Sequence, residues 1–330
     1  MKKIFCSDIS REVGEDIVGT ATNNQAYVLI ECPPPWHSDA FSSKWVPDNL
    51  RLLAKEAKQA KLPIKFQLIA NDVSHKVNST TLLIYHQEEG GGKGYFKREF
   101  KLENIEQAAP TIKKWLWAKN LKYQMDVTTK RDILVCTHGS HDRCCARYGN
   151  PFYFHAKNII SDLGLDNVRI WKSSHFGGHR FAPTMIDLPQ GRYYGNLDLE
   201  SFKSILTHTG DIKRFKDIYR GWGILPRSIQ IVERELILRY GWDWFNFKAA
   251  GRIVEQSADK SKVLAELTLE KPDGSVYSYQ AKLVKNNSKT KTLKASCNAK
   301  HETVLLKYDV ADMWLASRAL AENNKLIDAY

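Results

Sequence analysis

The spacing of apolar and polar residues switches between strand-like and helix-like along the first 210 residues, and one order of elements occurs twice. AYVLIEC, from Ala26 to Cys32, is typical of a buried strand, and DNLRLLAKEAKQAK, after a proline-rich loop, has apolar residues at helical spacing. Three strand-like runs, IKFQLIA, TTLLIYH and YFKREFKL, precede a helix near residues 108–118. The first half therefore predicts the order β-α-β-β-β-α.

The second half repeats this order. The strand DILVC ends at Cys136, the helix FYFHAKNIISDLG ends at Gly164, and VRIWKSS, APTMIDL and GRYYGNL follow as strands. Asp198 is the expected N-cap of the last helix, LESFKSILTHTG, which we expect to stop at Gly210. A parallel pair with a crossover helix, extended by a hairpin and covered by a second helix, is a thioredoxin-like sandwich.

The pattern changes after residue 210. A helix from Pro226 to Tyr240 is predicted by a proline at its start and a glycine after its end, and a PDG turn joins the strands KVLAELTLE and VYSYQAKLV. The predicted fold class is therefore α/β, with two tandem thioredoxin-like (ferredoxin) sandwiches and a smaller, mostly β C-terminal module. The corresponding domains are 1–125, 126–210 and 211–330.

Composition narrows the class of protein. Of the 330 residues, 43% are hydrophobic and 26% are charged, which is ordinary for a folded domain, and no apolar stretch approaches the roughly 18 residues of a membrane span. The N-terminus MKKIFCSDISREVGEDIV meets acidic residues before any apolar run of signal-peptide length. We therefore expect a cytoplasmic protein without a membrane segment, whose six cysteines are free for metal or redox chemistry.

The net charge of +12 favours acidic partners. The densest basic stretch, KLVKNNSKTKTLK from Lys282 to Lys294, has five lysines and no acid. A basic nucleic-acid-binding protein is therefore one alternative, but this stretch has no aromatic residue that could stack on a base. We expect a solvated loop there and no nucleic-acid partner.

The residues that could bind a metal or undergo redox chemistry are concentrated between Cys136 and His179. This span holds three of the six cysteines and five of the ten histidines, with the densest part in CTHGSHDRCCARYG. Soft ligands at this density indicate a metal or redox site. In SSHFGGHRFAP, His175 and His179 flank two glycines, which favour a loop over a helix. The two loops follow the first and second strands of a predicted parallel pair, so both ligand pairs face one point.

Several sites fit two cysteines and two histidines. Structural zinc is one, although eight residues separate Cys136 from Cys145 and zinc frameworks usually have two to four. CTHG resembles the first half of a Rieske box, but the next Cys and His, Cys297 and His301, are distant. A differently ligated [2Fe-2S] cluster is the third possibility. A thiol redox couple is the fourth, and it would rely on the adjacent pair formed by Cys145 and Cys144.

Residues 132–196 strongly resemble the sucrase/ferredoxin-like family, through CTHGSHDRCCARYG, RIWKSSHFGGHRFAP and GRYYGNL in that order. ECPPPW and CSDISRE extend the resemblance loosely into the first half. The resemblance implies a thioredoxin-like ferredoxin whose [2Fe-2S] cluster is held by two cysteines and the two histidines of an HxGGH loop. The first half lacks such a set and is expected to carry no cluster.

Carried over by position, the family pattern makes Cys136 the first ligand, Asp142 the loop acid and Cys145 the second ligand, with His175 and His179 completing the set. Many relatives have a single cysteine followed by glycine where this chain has Cys144, Cys145 and Ala146.

Cys144 is therefore kept as the alternative second ligand. His138 and Asp142 are candidates for supporting roles, orienting the loop or hydrogen-bonding the cluster.

Histidine ligation would raise the reduction potential of such a cluster. Since the sequence offers no nucleotide fingerprint and no nucleophile with its base, we predict an electron-transfer or redox-sensing protein rather than a stand-alone enzyme. Arg143, Arg147 and Arg180 flank the loops and suit an acidic partner such as a ferredoxin, flavodoxin or reductase. The rival interpretation is a zinc-stabilised interaction module.

Overall fold

The computed structural model of the chain describes residues 5–72, 79–87, 92–117 and 130–319. Contacts between Cα atoms divide the chain into two compact units. The large-sheet unit comprises residues 24–87 and 95–189, and the terminal unit comprises residues 1–23, 88–94 and 190–330.

The elements of the first 117 residues are α1 (Cys6–Glu12), β1 (Ala26–Glu31), α2 (Asp48–Gln59), β2 (Ile64–Ala70), β3 (Thr80–His86), β4 (Phe96–Leu102) and α3 (Ala108–Trp117). Those of the middle are β5 (Arg131–Cys136), α4 (Asn150–Asp162), β6 (Val168–Ser173), β7 (Met185–Leu188), β8 (Arg192–Tyr194) and α5 (Leu199–Thr207). The remainder are α6 (Phe215–Ile218), β9 (Tyr219–Trp222), α7 (Arg227–Tyr240), β10 (Lys248–Gln256), β11 (Lys262–Glu270), β12 (Val276–Lys285), β13 (Lys291–Lys294), β14 (Glu302–Leu305) and β15 (Tyr308–Ala319).

The large-sheet unit is built on a mixed sheet in the order β4-β3-β1-β2-β6-β5-β7. Strands β1 and β2 are parallel, and so are β5 and β6, while β3, β4 and β7 are antiparallel additions. The two halves meet where β2 pairs antiparallel with β6, with Ile69 opposite Ser173. The predicted α/β class is confirmed, and the order β-α-β-β-β-α occurs twice along the chain.

The core of the first half explains why its cysteine is a structural residue. Strand β1 is buried on both faces, as its continuous apolar run predicts, and α2 turns Leu50, Leu53 and Ala57 inward. Cys32 follows β1 inside this cluster, and the Trp36 indole N–H donates to its carbonyl oxygen at 3.0 Å. Burial raises the pKa of the Cys32 thiol to about 12. Cys32 therefore behaves as a small apolar side chain.

The terminal unit contains the four-stranded antiparallel sheet β10-β11-β12-β15, the pair β8–β9 and the pair β13–β14. Helix α7 packs against β9, β10 and β11. Its bounds match the predicted helix, because Pro226 is the N-cap and Gly241, at φ +64°, is the C-cap.

Buried and part-buried ion pairs tie the N-terminal segment into the terminal unit. Arg234 on α7 donates to both carboxylate oxygens of Asp16, at 2.5 and 3.0 Å. Burial acts to raise the pKa of Asp16, but the hydrogen bond and charge of Arg234 outweigh it and lower the pKa. Lys307 reaches the Glu15 carboxylate at 3.0 Å.

Some predicted bounds were wrong. Helix α5 has the predicted Asp198 cap, but it ends at Thr207 because His208 takes the left-handed conformation at φ +52°, ahead of Gly210. The lysine-rich stretch is not one loop, since it contains the end of β12 and all of β13.

The predicted boundary at 125/126 lies outside the described residues, so the three-domain division stays a prediction. Within the part of the chain that the structure describes, no helix has the length and apolar character needed to cross a membrane.

Candidate metal centre

The sheet brings two loops to one edge of the large-sheet unit. Strand β5 ends at Cys136, directly opposite Ser173 at the end of the parallel strand β6. The loop after β5 carries Cys145, and the loop after β6 carries His175. Because the carboxyl ends of parallel strands lie at the same edge, the predicted meeting of these loops is confirmed.

Two thiols and one imidazole are in contact at this edge. The Nδ1 atom of His175 lies 3.6 Å from Cys136 Sγ and 3.7 Å from Cys145 Sγ. Ligand atoms of these three residues all lie within 4.8 Å of one another, and both sulfurs are buried. Soft thiols with an imidazole form a donor set that can hold a metal ion.

The second imidazole lies beside the first. The rings of His175 and His179 are 5.0 Å apart between centroids. On its other side, His179 Nδ1 is 3.3 Å from a carboxylate oxygen of buried Asp142. Such a carboxylate fixes the proton on Nδ1 and leaves Nε2 as the ligating atom. Asp142 thus lies where a supporting role was predicted.

Cys144 is held by the same carboxylate but is not part of the thiol–imidazole group. Its backbone N–H donates to Asp142 Oδ1 at 2.9 Å, and its side chain is fully buried. Cys145 rather than Cys144 lies against Cys136 and His175.

A π-helix sets the position of Cys145. Residues Cys145–Gly149 form this wide turn just before α4, a feature often found at functional sites. It packs so tightly on the end of β5 that a Cβ added to Gly149 would lie 2.0 Å from the Cys136 carbonyl oxygen. Gly149 therefore allows the helix carrying one thiol to lie close to the strand carrying the other.

His138 holds the second loop in place. Its Nδ1 accepts the backbone N–H of His175 at 3.1 Å, and its Nε2 donates to the carbonyl oxygen of His37 at 2.7 Å. One neutral imidazole therefore joins three loops. Burial is the main cause that lowers the pKa of His138, which keeps it in this neutral form.

Sequence reasoning missed the loop after β1 as a support for the site. Ser140 donates to the Trp36 carbonyl oxygen at 2.6 Å, and His141 Nδ1 donates to the Ser38 carbonyl oxygen at 3.0 Å. The His141 ring then stacks on His175 with centroids 4.1 Å apart. The motif ECPPPW was the only sequence signal for this loop.

The electrostatics favour ligand binding by the imidazole and require proton loss from the thiols. Burial, followed by the charges of neighbouring histidines and Lys65, lowers the pKa of His175 to about 2, so the ring is neutral. The Cys145 thiol has its pKa raised well above the ordinary value by its hydrogen bond with Cys136 and by burial. A metal ion would displace its proton on binding.

These residues can therefore hold a metal. Comparison with known proteins shows which family the chain belongs to. Neither curated proteins nor solved structures give a match to this chain. The sequence model described as sucrase/ferredoxin-like matches residues 17–221, which is more than half of the chain and includes the whole candidate centre. The chain belongs to the sucrase/ferredoxin-like family.

Proposed function

We propose that the protein carries one [2Fe-2S] cluster on Cys136, Cys145, His175 and His179 and serves as an electron-transfer or redox-sensing protein. The observation that carries this proposal is that the donors occur in pairs. The sulfurs of the two cysteines lie within 4.8 Å of each other, and the two imidazole rings are neighbours at 5.0 Å between centroids. Paired donors suit a binuclear centre with thiolates on one iron and imidazoles on the other.

The chemistry of the donor set fits this group. Both thiols are buried, and His175 is neutral because its pKa is lowered to about 2. Asp142 fixes the proton of His179, and His138 fixes the backbone of His175. When bound, a [2Fe-2S] cluster supplies one-electron transfer, at a potential that histidine ligation raises.

A basic surface supports the proposal of an acidic redox partner. Arg143 and Arg147 are exposed in the loop that also carries Cys145. An acidic ferredoxin, flavodoxin or reductase would be attracted to such a surface, and the association rate would fall with ionic strength. We propose that electrons enter or leave on this side.

A single zinc ion is the second candidate, and the short distances from His175 to the two thiols favour it. Ligands at about 2.3 Å for sulfur and about 2.05 Å for nitrogen place S and N about 3.6 Å apart around a tetrahedral ion. His175 Nδ1 lies 3.6 and 3.7 Å from the two sulfurs. A cluster with imidazoles on the second iron would need His175 farther from the thiols.

Metal analysis of anaerobically purified full-length protein distinguishes the two candidates. The proposal predicts two irons and two acid-labile sulfides per chain, a red-brown colour and no stoichiometric zinc. A colourless protein with one zinc and no sulfide would replace the cluster with the zinc site. The variant His175→Ala should lose the metal in either case, whereas His155→Ala, at an exposed position on α4, should retain it.

A further inference from the structure

Two cysteines far from the candidate centre in sequence meet in the terminal unit. Cys6 is the first residue of α1, and Cys297 lies in the turn that follows β13. Their sulfurs are 3.5 Å apart, and the backbone N–H of Cys6 also points to Cys297 Sγ at 3.5 Å. A disulfide bond is about 2.05 Å long, so the sulfurs need to approach by about 1.5 Å to bond.

Buried polar contacts bring these cysteines together. Lys307, after β14, binds the Glu15 carboxylate at 3.0 Å and the Asp16 carbonyl oxygen at 2.5 Å. Glu15 in turn accepts from the Ser10 hydroxyl at 2.8 Å, and Ser10 lies four residues after Cys6 on α1. The N-terminal segment is therefore anchored to the region that carries Cys297, and the short sulfur distance is a property of the fold.

We infer that Cys6 and Cys297 form a reversible intramolecular disulfide, a modification site at cysteines other than the proposed metal ligands Cys136 and Cys145. Cys297 is half-buried, whereas Cys6 is 5% exposed, so Cys297 is the thiol that meets an oxidant first. The oxidant is a low-molecular-weight disulfide such as glutathione disulfide.

The exchange proceeds in two balanced steps. The Cys297 thiolate attacks glutathione disulfide, forms a mixed disulfide and releases one glutathione. The Cys6 thiolate then attacks Cys297 Sγ, expels the second glutathione and forms the Sγ–Sγ bond. Two protein thiols are oxidised, one glutathione disulfide is reduced, and the two thiol protons end on two glutathione molecules.

Oxidation would close a loop that spans most of the chain and would fix α1 to the turn after β13. A long closed loop restricts the unfolded chain strongly, so the oxidised protein should unfold at a higher temperature than the reduced protein. The same bond would prevent the N-terminal segment from detaching. This pairing could not be predicted from the sequence, because 291 residues separate the two cysteines.

The test uses full-length, metal-loaded protein equilibrated with glutathione buffers from reducing to oxidising. Free thiols are then alkylated, and the protein is digested without reduction. We expect a cross-linked peptide that contains Cys6 and Cys297, its disappearance after dithiothreitol, and a higher unfolding midpoint in the oxidised form. Cys297→Ser should abolish both effects, whereas Cys32→Ala, in the core of the large-sheet unit, should leave the cross-link intact.

The wild-type peptide map decides the inference even if a variant folds poorly. The inference would be overturned if Cys297 were found only as a mixed disulfide with glutathione while Cys6 was still alkylated. A cross-link through any other pair of cysteines, or two thiols that stay reduced across the whole series, would also overturn it.

Discussion

Replacing Gly149 by alanine should remove the metal without unfolding the protein. The added Cβ would lie 2.0 Å from the Cys136 carbonyl oxygen and 3.1 Å from its carbonyl carbon. Ordinary carbon–oxygen contacts begin at about 3.3 Å, so the two backbones must separate by about 1.3 Å. The separation occurs between the end of β5, which carries Cys136, and the π-helix, which carries Cys145.

The magnitude of this shift decides the outcome. Metal sites hold ligand distances to about 0.2 Å, so a displacement several times larger prevents both thiols from binding one iron. Overpacking of this kind costs about 1–3 kcal/mol of folding free energy, which a chain of this size can lose and remain folded. We therefore expect metal loss to exceed the loss of structure.

The assay compares wild type and Gly149→Ala, purified anaerobically with the same iron supply. Bound iron per chain should fall about tenfold or more, while the far-UV circular dichroism spectrum stays unchanged. Gly164→Ala is the control for a glycine-to-alanine change without a steric clash, because a Cβ there meets no atom within 4 Å; it carries the added strain of a positive φ, +62°, which Gly149, at φ −74°, does not have. This control should lose some stability and keep its metal. Equal metal content in all three proteins would refute the steric argument.

Three further predictions concern named side chains. Asp142→Asn keeps an acceptor for the backbone N–H at 2.9 Å but loses the carboxylate beside His179, so metal affinity measured by chelator competition should fall about 10–100-fold. Cys145→Ser should abolish or strongly shift the visible spectrum, whereas Cys144→Ala should keep it. Asp16→Asn breaks a part-buried ion pair and should lower the free energy of unfolding at pH 7 by about 2–4 kcal/mol. Since the pKa of Asp16 is lowered, this difference is fully present above about pH 4 and shrinks as pH falls through the native pKa.

Each of these three predictions would be contradicted by a specific result. Unchanged affinity in Asp142→Asn would mean that the carboxylate does not position the imidazole. Loss of the spectrum in Cys144→Ala with retention in Cys145→Ser would move the second ligand by one residue. For Asp16, urea unfolding that shows the same deficit at pH 3 and pH 7 would mean that the carboxylate charge is not the cause. Glu56→Gln, at an exposed position on α2, is the control for charge removal alone.

Much of the fold was predictable because hydrophobic periodicity and caps are local signals. The strand that ends at Cys136 and the helix from Arg227 to Tyr240 both follow from runs of residues whose burial is decided by their neighbours in sequence. The early end of α5 was not predictable. His208 adopts the left-handed conformation, which the sequence assigns more readily to Gly210.

The candidate site, like the fold, was predictable only in part. Topology predicted that the loops of Cys136 and His175 meet, because parallel strands place their carboxyl ends at one edge. The π-helix was not foreseen, since an i→i+5 turn has no sequence signature of its own. The bond from His138 to the His37 carbonyl oxygen was also missed, because it joins residues 101 positions apart.

The direct test of the central claim is pulsed electron paramagnetic resonance of the chemically reduced protein, with histidine labelled with ¹⁵N. Ligation by two thiolates and two imidazoles predicts a paramagnetic reduced [2Fe-2S] signal with couplings from two histidine nitrogens, both of which change with the isotope. The variant His155→Ala should give the same spectrum, and Cys136→Ser should not. A reduced cluster without histidine nitrogen coupling, or a protein with stoichiometric zinc and no signal, would contradict the account.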